Sequence, residues 1–382
     1  MNGSVQARAG GPRFATTARG GAEDLGTATR YGRALLDSVG LATASLKACN
    51  DRHPALVWAE SGAMALTGHR DGPPLLAPGP LASSASGTLA AISSLAAGCL
   101  DHIDGAALLG ERAAILGLER RGAISPGGSC RLLESADGWL TVNLARPDDV
   151  GSIGAWMGDE PRGDVWDFLS ARLRTMTSAE ALERACLLGL AVAAAGHLPI
   201  VPPPWHRVLA TGRRRDDGRM EAGPGPYRRY GAAADERRSS DDRPLVIDLS
   251  SLWAGPLCTQ LLSLAGARVI KVESSTRPDG ARAGSAAFFD LMNGGKESVV
   301  LDLSSLEGRR ILRRLIESAD AVVESSRPRA LEQMGIDARK VVRSNRGLTW
   351  LSLTGYGRSG DKAMRVAFGD DAAAAAGLAQ AT

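Results

Sequence analysis

PLVIDLSSLWAGPLCTQLLSLAGARVIKVE, from Pro244 to Glu273, reads as a strand, a helix and a second strand, and this reading decides the fold. Residues 245–249 are short, apolar and flanked by Pro and Ser, and residues 268–273 are rich in Val and Ile. That length and β-branching suit buried parallel strands. Between them Leu257, Leu261, Leu262, Leu264 and Ala265 recur at spacings of three and four, the pattern of an amphipathic helix. Ser250 or Ser251 is expected to cap its start and Gly266 its end. A right-handed crossover then sets the two strands side by side.

The alternation continues downstream. Residues 298–303, 321–324 and 348–353 read as strands, and residues 306–318, 330–334 and 338–344 as the helices between them. Strands separated by helices of this length predict an α/β fold, a doubly wound parallel, Rossmann-like sheet in the C-terminal half. Ligands of such sheets bind beyond the carboxyl ends of the strands, which here carry Ser250, Glu273, Asp302, Glu324 and Thr354.

Upstream the pattern is α+β. Residues 30–49, 55–66, 106–118, 165–173 and 178–188 read as helices. In residues 81–100 small side chains dominate, which favours a helix whose neighbours approach its backbone. Two short strands, 130–133 and 139–144, flank an Asp137-Gly138 turn, a hairpin signal. Residues 202–243 are rich in Pro, Gly and Arg with hardly an apolar run and read as a linker. Asp residues interleaved with its arginines favour a solvated segment over a phosphate site. Residues 1–28 lack the apolar core of a signal peptide and read as a flexible leader. The expected division is 1–28, 29–201, 202–243 and 244–382.

Composition narrows the function classes. Lys plus Arg is 45 against 42 for Asp plus Glu, so a net charge of +3 gives no strong pull toward nucleic acid or anionic membrane. No apolar stretch reaches membrane-spanning length without a charge or a run of small residues, so no membrane partner is expected. Cys49, Cys99, Cys130, Cys186 and Cys258 are scattered and form no CxxC pair, which argues against a disulfide framework or a zinc site and for a reducing cytoplasm. No metal is expected. Abundant Ala and Gly with only 4% aromatic residues point to a bacterial source.

The carboxyl-end segments hold the candidate chemistry: Trp253-Ala254-Gly255-Pro256, Lys271-Val272-Glu273, Asn293-Gly294-Gly295-Lys296, Arg327-Pro328 and Ser352-Leu353-Thr354-Gly355-Tyr356-Gly357. Glycines in such loops let a ligand approach the backbone, and Lys271, Lys296 and Arg327 suit phosphate. No GxGxxG follows the first strand, and GxxxxGK[ST] and GxSxG are absent. Ordinary dinucleotide, P-loop and serine-hydrolase readings lose their support.

Taken in order, these segments resemble the class III coenzyme A transferases, which include formyl-CoA and carnitine CoA-transferases and α-methylacyl-CoA racemase. The match runs through Asp248-Leu249-Ser250, Ala254-Gly255-Pro256, residues 269–273, residues 293–296, residues 299–303, residues 322–324 with Arg327-Pro328, and residues 354–357. Met334 stands where the family has Leu. The resemblance implies acyl-CoA and carboxylate substrates, with coenzyme A entering as a thioester substrate and no separate cofactor. It implies a homodimer, and CoA contacts at Ala254, Gly255, Pro256, Lys271, Glu273, Asn293, Lys296, Arg327, Thr354, Gly355 and Gly357. It also implies an aspartate nucleophile shortly after the last loop, within Phe368-Gly369-Asp370-Asp371. Asp370 aligns best, with Asp371 as the alternative. Such a residue would move CoA between carboxylates through an aspartyl-CoA thioester. Without the resemblance, Asp370 reads first as the cap of the Ala-rich helix that follows.

The first half resembles the same family's second half. The carriers are residues 61–68 with Asp71-Gly72-Pro73-Pro74, then Ala136-Asp137-Gly138-Trp139 of the smaller domain, and residues 188–192, which lack the family's Pro. The order is inverted, as in a circular permutation or in a tandem whose second copy is truncated, and the tandem is the preferred expectation. Gly127-Gly128 stands near the family's glycine loop but reads equally as an ordinary turn. Two alternatives to the transferase remain. A racemase of the same fold pairs an aspartate with a histidine, and His53, His69, His102, His197 and His206 all precede the main match. A catalytically silent acyl-CoA-binding or scaffold protein is the other.

Overall fold

The computed structural model describes residues 26–41, 46, 49, 51–196, 205–211, 243–345 and 347–379. Most of the expected leader and linker, and His197, lie outside the described residues.

The first half begins with helices α1 (Thr27–Ser38), α2 (Pro54–Glu60), α3 (Leu81–Leu95) and α4 (Glu111–Leu116). Strands β1 (Cys130–Ser135) and β2 (Gly138–Asn143) follow, then α5 (Pro147–Gly151), α6 (Ile153–Met157), α7 (Val165–Leu173), α8 (Ser178–Leu188) and β3 (Ala191–Ala194). The three strands form one antiparallel sheet in the order β1-β2-β3. Leu140, Val142 and Val192 point from it into a core with Trp156, Leu169, Leu173 and Ala185. The Trp156 indole donates to the Ala181 carbonyl at 2.9 Å, so the large buried ring leaves no donor unpaired.

The second half alternates regularly: β4 (Leu245–Leu249), α9 (Ala254–Leu264), β5 (Arg268–Ser274), α10 (Ala286–Asn293), β6 (Glu297–Leu301), α11 (Leu306–Ser318), β7 (Ala321–Glu324), α12 (Pro328–Gln333), α13 (Ala338–Ser344), β8 (Thr349–Ser352) and α14 (Asp370–Ala375). Its five strands are parallel in the order β6-β5-β4-β7-β8. Successive side chains feed opposite faces. Val246, Val269 and Val323 pack toward Leu262 of α9, whereas Ile247, Ile270 and Val322 pack toward Leu312 and Ile316 of α11. Both faces are covered, as the doubly wound reading requires. The strand order reverses between β5-β4 and β7-β8, so the switch point at which such sheets bind ligands lies beyond Ser250 and Glu324.

Helix ends depart from the sequence reading for local reasons. The helix expected over 30–49 stops at Ser38, because Gly40 takes a left-handed φ of 72° and Leu41 N–H returns to the Leu36 carbonyl at 2.9 Å. The one expected over 55–66 stops at Glu60, where Ser61 Oγ donates to the Trp58 carbonyl at 2.7 Å. Residues 106–118 divide into a 3-10 turn at Ala107–Leu109 and α4. The strand expected over 298–303 ends at Leu301, since the Asp302 side chain accepts the Ser304 N–H at 2.9 Å and folds the chain into a turn. The close approach expected of residues 81–100 is present. A Cβ on Gly87 of α3 would lie 2.1 Å from the Ala28 carbonyl oxygen of α1.

Neither Ser250 nor Ser251 caps α9. The helix begins after Trp253 with no side-chain cap, and the Ser250 hydroxyl instead donates to Asp248. Gly266 does follow its end, with its N–H on the Ser263 carbonyl at 2.9 Å. The turn into α9 is tight: a Cβ on Gly255 would lie 2.2 Å from Ser250 Cβ. Gly255→Ala is therefore expected to lower stability by about 1–3 kcal/mol. A denaturant midpoint equal to that of the unaltered protein would refute this packing.

Candidate active site

Near the carboxyl ends of the strands lies a layer of buried charge. The Asp248 carboxylate, fully buried near the end of β4, accepts Thr259 Oγ1 at 2.6 Å, Ser250 N–H at 2.9 Å and Lys296 Nζ at 3.1 Å. Lys296 Nζ also reaches the Pro256 carbonyl at 3.0 Å, Thr259 Oγ1 at 2.8 Å and Asn293 Oδ1 at 3.1 Å. Burial lowers the Lys296 pKa, and the Asp248 charge opposes that shift. Beside it Lys271 Nζ donates to Asp279 at 2.8 Å and to the Ser250 carbonyl at 3.1 Å. Glu273 accepts Asp279 N–H at 2.8 Å and the Arg282 guanidinium at 2.6 Å. Hydrogen bonding to Arg282 holds its carboxyl below the usual range.

These bonds bear on the sequence expectations. Lys271, Glu273, Asn293 and Lys296 were expected at the ligand, yet their polar groups turn inward and hold the loops that border it. Phosphate contact by Lys271 or Lys296 would have to break a buried ion pair with Asp279 or Asp248. Ala254 stays exposed, whereas Gly255 and Pro256 are buried in the turn. Asp279 also accepts the Leu252 N–H at 2.9 Å, which pins Leu252 in a left-handed φ of 70°. Such a φ in a residue with a Cβ is a strained conformation held by its surroundings. Gly355 and Gly357 of the last loop are exposed and Thr354 is partly so. A Cβ on Gly355 would lie 2.3 Å from Ala367 Cβ, so this loop packs against the segment leading to α14. Arg327 is half-buried among the like charges of Arg329, Arg146 and Arg277, and burial followed by those charges lowers its pKa.

The expected nucleophile lies where the two halves meet. The α14 segment packs against β2 and β3, and Gly196 N–H donates to the Ala374 carbonyl at 3.0 Å. Asp370 and Asp371 occupy its first turn. Asp371 is fully buried: one oxygen accepts Phe368 N–H at 2.8 Å, and the other is enclosed without a partner near Asn143. Asp370 is the one open to solvent. Protein on either side still desolvates it, which raises its pKa, while the Arg112 charge and a hydrogen bond from Ser125 act in the opposite direction. Both of those residues belong to the first half. Arg112, on α4, sits with its guanidinium carbon 5.6 Å from the Trp253 ring centroid and 5.8 Å from that of Phe288. Those rings meet edge to face at 6.2 Å.

Sequence reasoning missed Arg112, Ser125 and Phe288, and it quoted Trp253 without giving it a role. Nothing local marks Arg112 or Ser125, because their significance is a contact with residues far along the chain. Gly127 and Gly128 form a turn in which Gly128 N–H returns to the Ser125 carbonyl at 2.8 Å, and this turn presents Ser125 to Asp370.

Residues 244–382 match CoA-transferase family III. The matching segment begins at the Pro before β4 and takes in the parallel sheet and Asp370. The chain is 36% identical over 152 residues to an acyl-CoA transferase of Fusarium pseudograminearum, covering 36% of this chain and 33% of that protein. It is 33% identical over 147 residues to a succinyl-CoA–D-citramalate CoA-transferase of Chloroflexus aurantiacus, covering 36% and 37%. The crystal structure of a CAIB/BAIF family protein from Brucella suis is 36% identical, with a TM-score of 0.31, over 33% of this chain and 36% of that one. The chain thus spans about a third of the length of the curated relatives it matches. Among the described residues no helix is long and apolar enough to cross a membrane, and no cluster of His, Cys, Asp and Glu is arranged to hold a metal ion.

Two measurements test the electrostatics. Burial, with the charges of Asp370 and Asp371 added, pushes the Cys130 thiol up to about 12. Near neutral pH Cys130 should therefore resist a thiol reagent that labels exposed Cys99, and equal labelling rates would refute this environment. Asp371 is raised mainly by burial and further by Asp370, from an unfolded value of about 3.9. A group raised on folding favours the folded state most below its unfolded pKa. Stability is lost as pH climbs through the folded value. Asp371→Asn should remove that slope, so superimposable curves of melting temperature against pH for the two proteins would contradict it.

Proposed function

We propose that this chain carries a CoA-transferase site that moves coenzyme A between an acyl-CoA and a free carboxylic acid, with Asp370 as nucleophile. The observation that supports it is the exposed Asp370 in the first turn of α14, which docks on the sheet of the first half and so brings the carboxylate within reach of the Arg112 charge. Halves in inverted order along the chain assemble one site around the accessible carboxylate. The Asp370 carboxylate attacks the thioester carbonyl, forming a mixed anhydride as the thiolate of CoA departs. The thiolate attacks the Asp370 carbonyl, forming the aspartyl-CoA thioester and releasing the first carboxylate. A second carboxylate attacks that thioester and expels the thiolate. The thiolate then attacks the new acyl carbonyl, and Asp370 is regenerated as a carboxylate.

Within this proposal Gly355 and Gly357 leave backbone open to the thioester, and Ala254, Gly255 and Pro256 form the opposite edge. Arg327 is the remaining cation for CoA phosphate, while Lys271, Glu273, Asn293 and Lys296 hold the loops. A homodimer and a reducing compartment belong to the same proposal, the latter supported by cysteines that are all free. The racemase alternative needs a second acid–base group across the substrate α-carbon. The neighbours that move the Asp370 pKa are Arg112 and Ser125, not a histidine.

Incubation with acetyl-CoA and hydroxylamine should convert Asp370 to its hydroxamate, read by peptide mass spectrometry. Asp370→Asn should lower transfer by at least about 10³-fold. Because the Asp370 pKa is raised, transfer should fall as pH drops through a value above the usual carboxylate range. An unmodified Asp370 in folded protein that binds acetyl-CoA would leave the silent acyl-CoA-binding reading in its place.

A further inference from the structure

Arg112 belongs to the first half, and its surroundings are unusual for an arginine. It is half-buried on α4, yet among the described residues no salt bridge or hydrogen bond holds its guanidinium. What holds it is aromatic: Trp253 at 5.6 Å and Phe288 at 5.8 Å, two rings brought together from the α9 turn and from α10. A guanidinium against ring faces is positioned through its π surface. Its N–H fork stays available for a planar anion. None of its nitrogens is among the buried side-chain atoms that lack a partner, so the fork is not sealed inside the protein.

Asp370 is near enough to feel the Arg112 charge, but no ion pair within bonding distance joins them. The Ser125 hydroxyl for its part accepts the Cys130 N–H at 3.2 Å. The arrangement is an exposed carboxylate and, apart from it, a preoriented cation with unspent donors.

We propose that Arg112 is the residue that binds the free carboxylic acid substrate, and that it does so when Asp370 is uncharged. This rests on the transferase reading above. While Asp370 is a carboxylate, its charge and that of an incoming acid repel, and Arg112 is partly neutralised. Once Asp370 is the aspartyl-CoA thioester that charge is gone. Arg112 is then the uncompensated charge beside the reacting carbonyl, and it draws a carboxylate to the place from which that carbonyl is attacked. The reverse holds for the first product: its carboxylate leaves as Asp370 is converted and is displaced by the next acid. The same charge balance makes binding of the acid to the unreacted enzyme weak, which orders the two substrates without any moving part.

The substitution Asp370→Asn imitates the uncharged state without acyl-CoA. Titration calorimetry with succinate at neutral pH, chloride serving as the control anion, reads the binding directly. The Asp370→Asn protein should bind succinate about tenfold more tightly than the unaltered protein, the effect of removing one nearby like charge. Adding Arg112→Ala to Asp370→Asn should weaken binding by about tenfold or more. Adding Arg112→Lys instead keeps the charge without the fork and should lie between. Melting curves identify any variant that fails to fold, and the lysine variant keeps the test decisive should the alanine variant do so. Equal affinity of the unaltered and Asp370→Asn proteins, or unchanged affinity in both Arg112 variants, overturns the proposal. Hydroxylamine trapping is scored separately on the unaltered protein. Trapping with a failed binding pattern rejects the role of Arg112 alone. The binding pattern without trapping rejects the nucleophile and keeps the carboxylate subsite.

Discussion

The Asp248 carboxylate and the Lys296 ammonium, 3.1 Å apart and both buried, hold together the part of the molecule on which the site depends. Asp248 is the penultimate residue of the central strand β4, and Lys296 closes the loop between α10 and β6. Between them they fix Thr259 and the Pro256 carbonyl of α9, Ser250 of the first loop, and Asn293. Removing one partner of such a pair leaves a buried charge unmatched, at a cost of about 3–5 kcal/mol. Lys271 and Asp279 repeat the device one strand along and pin the strained Leu252 beside Trp253. The turn that carries Trp253 is therefore rigid. That rigidity lets an aromatic ring serve as the seat for a guanidinium from elsewhere in the chain.

The second constraint is the docking of α14 on the antiparallel sheet of the first half. Ala374 is buried there, Gly196 bonds to its carbonyl, and the Arg146 guanidinium lies 5.6 Å from the Phe368 ring centroid. This contact carries Asp370 to Ser125 and Arg112. It also separates the two adjacent aspartates: Asp371 is enclosed near Asn143, and Asp370 is exposed. A single step along a helix turns a side chain by about 100°, enough to move a carboxylate from core to surface.

The parallel sheet was legible from the chain because its strands are short, β-branched and bounded by Pro, Ser or Gly, and α11, α13, α7 and α8 were legible in full from their apolar spacing. The hairpin was legible from Asp137-Gly138. Helix ends in the first half were not, because one residue such as Gly40 or Ser61 ends a helix whose apolar pattern runs on. Strand β3 and helices α5 and α6 carry too few residues for a periodic signal. At the proposed site the motifs named the loops, and the structure seats Lys271 and Lys296 of those loops in buried ion pairs. A lysine at a strand end reads as a phosphate ligand until its burial is known.

By itself the sequence determined the α/β class of the second half, the resemblance that names CoA as the substrate carrier, and the pair of aspartates among which a nucleophile was sought. Local periodicity and short motifs are properties of neighbouring residues, and they survive in the string of letters. Only the tertiary structure decided that Lys271 and Lys296 are spent in buried ion pairs. It alone showed that Asp370 rather than Asp371 is accessible, and that Arg112, Trp253 and Phe288 form one group. Burial and charge pairing between distant segments are set by the packing of the two halves, and no local pattern in either half records them.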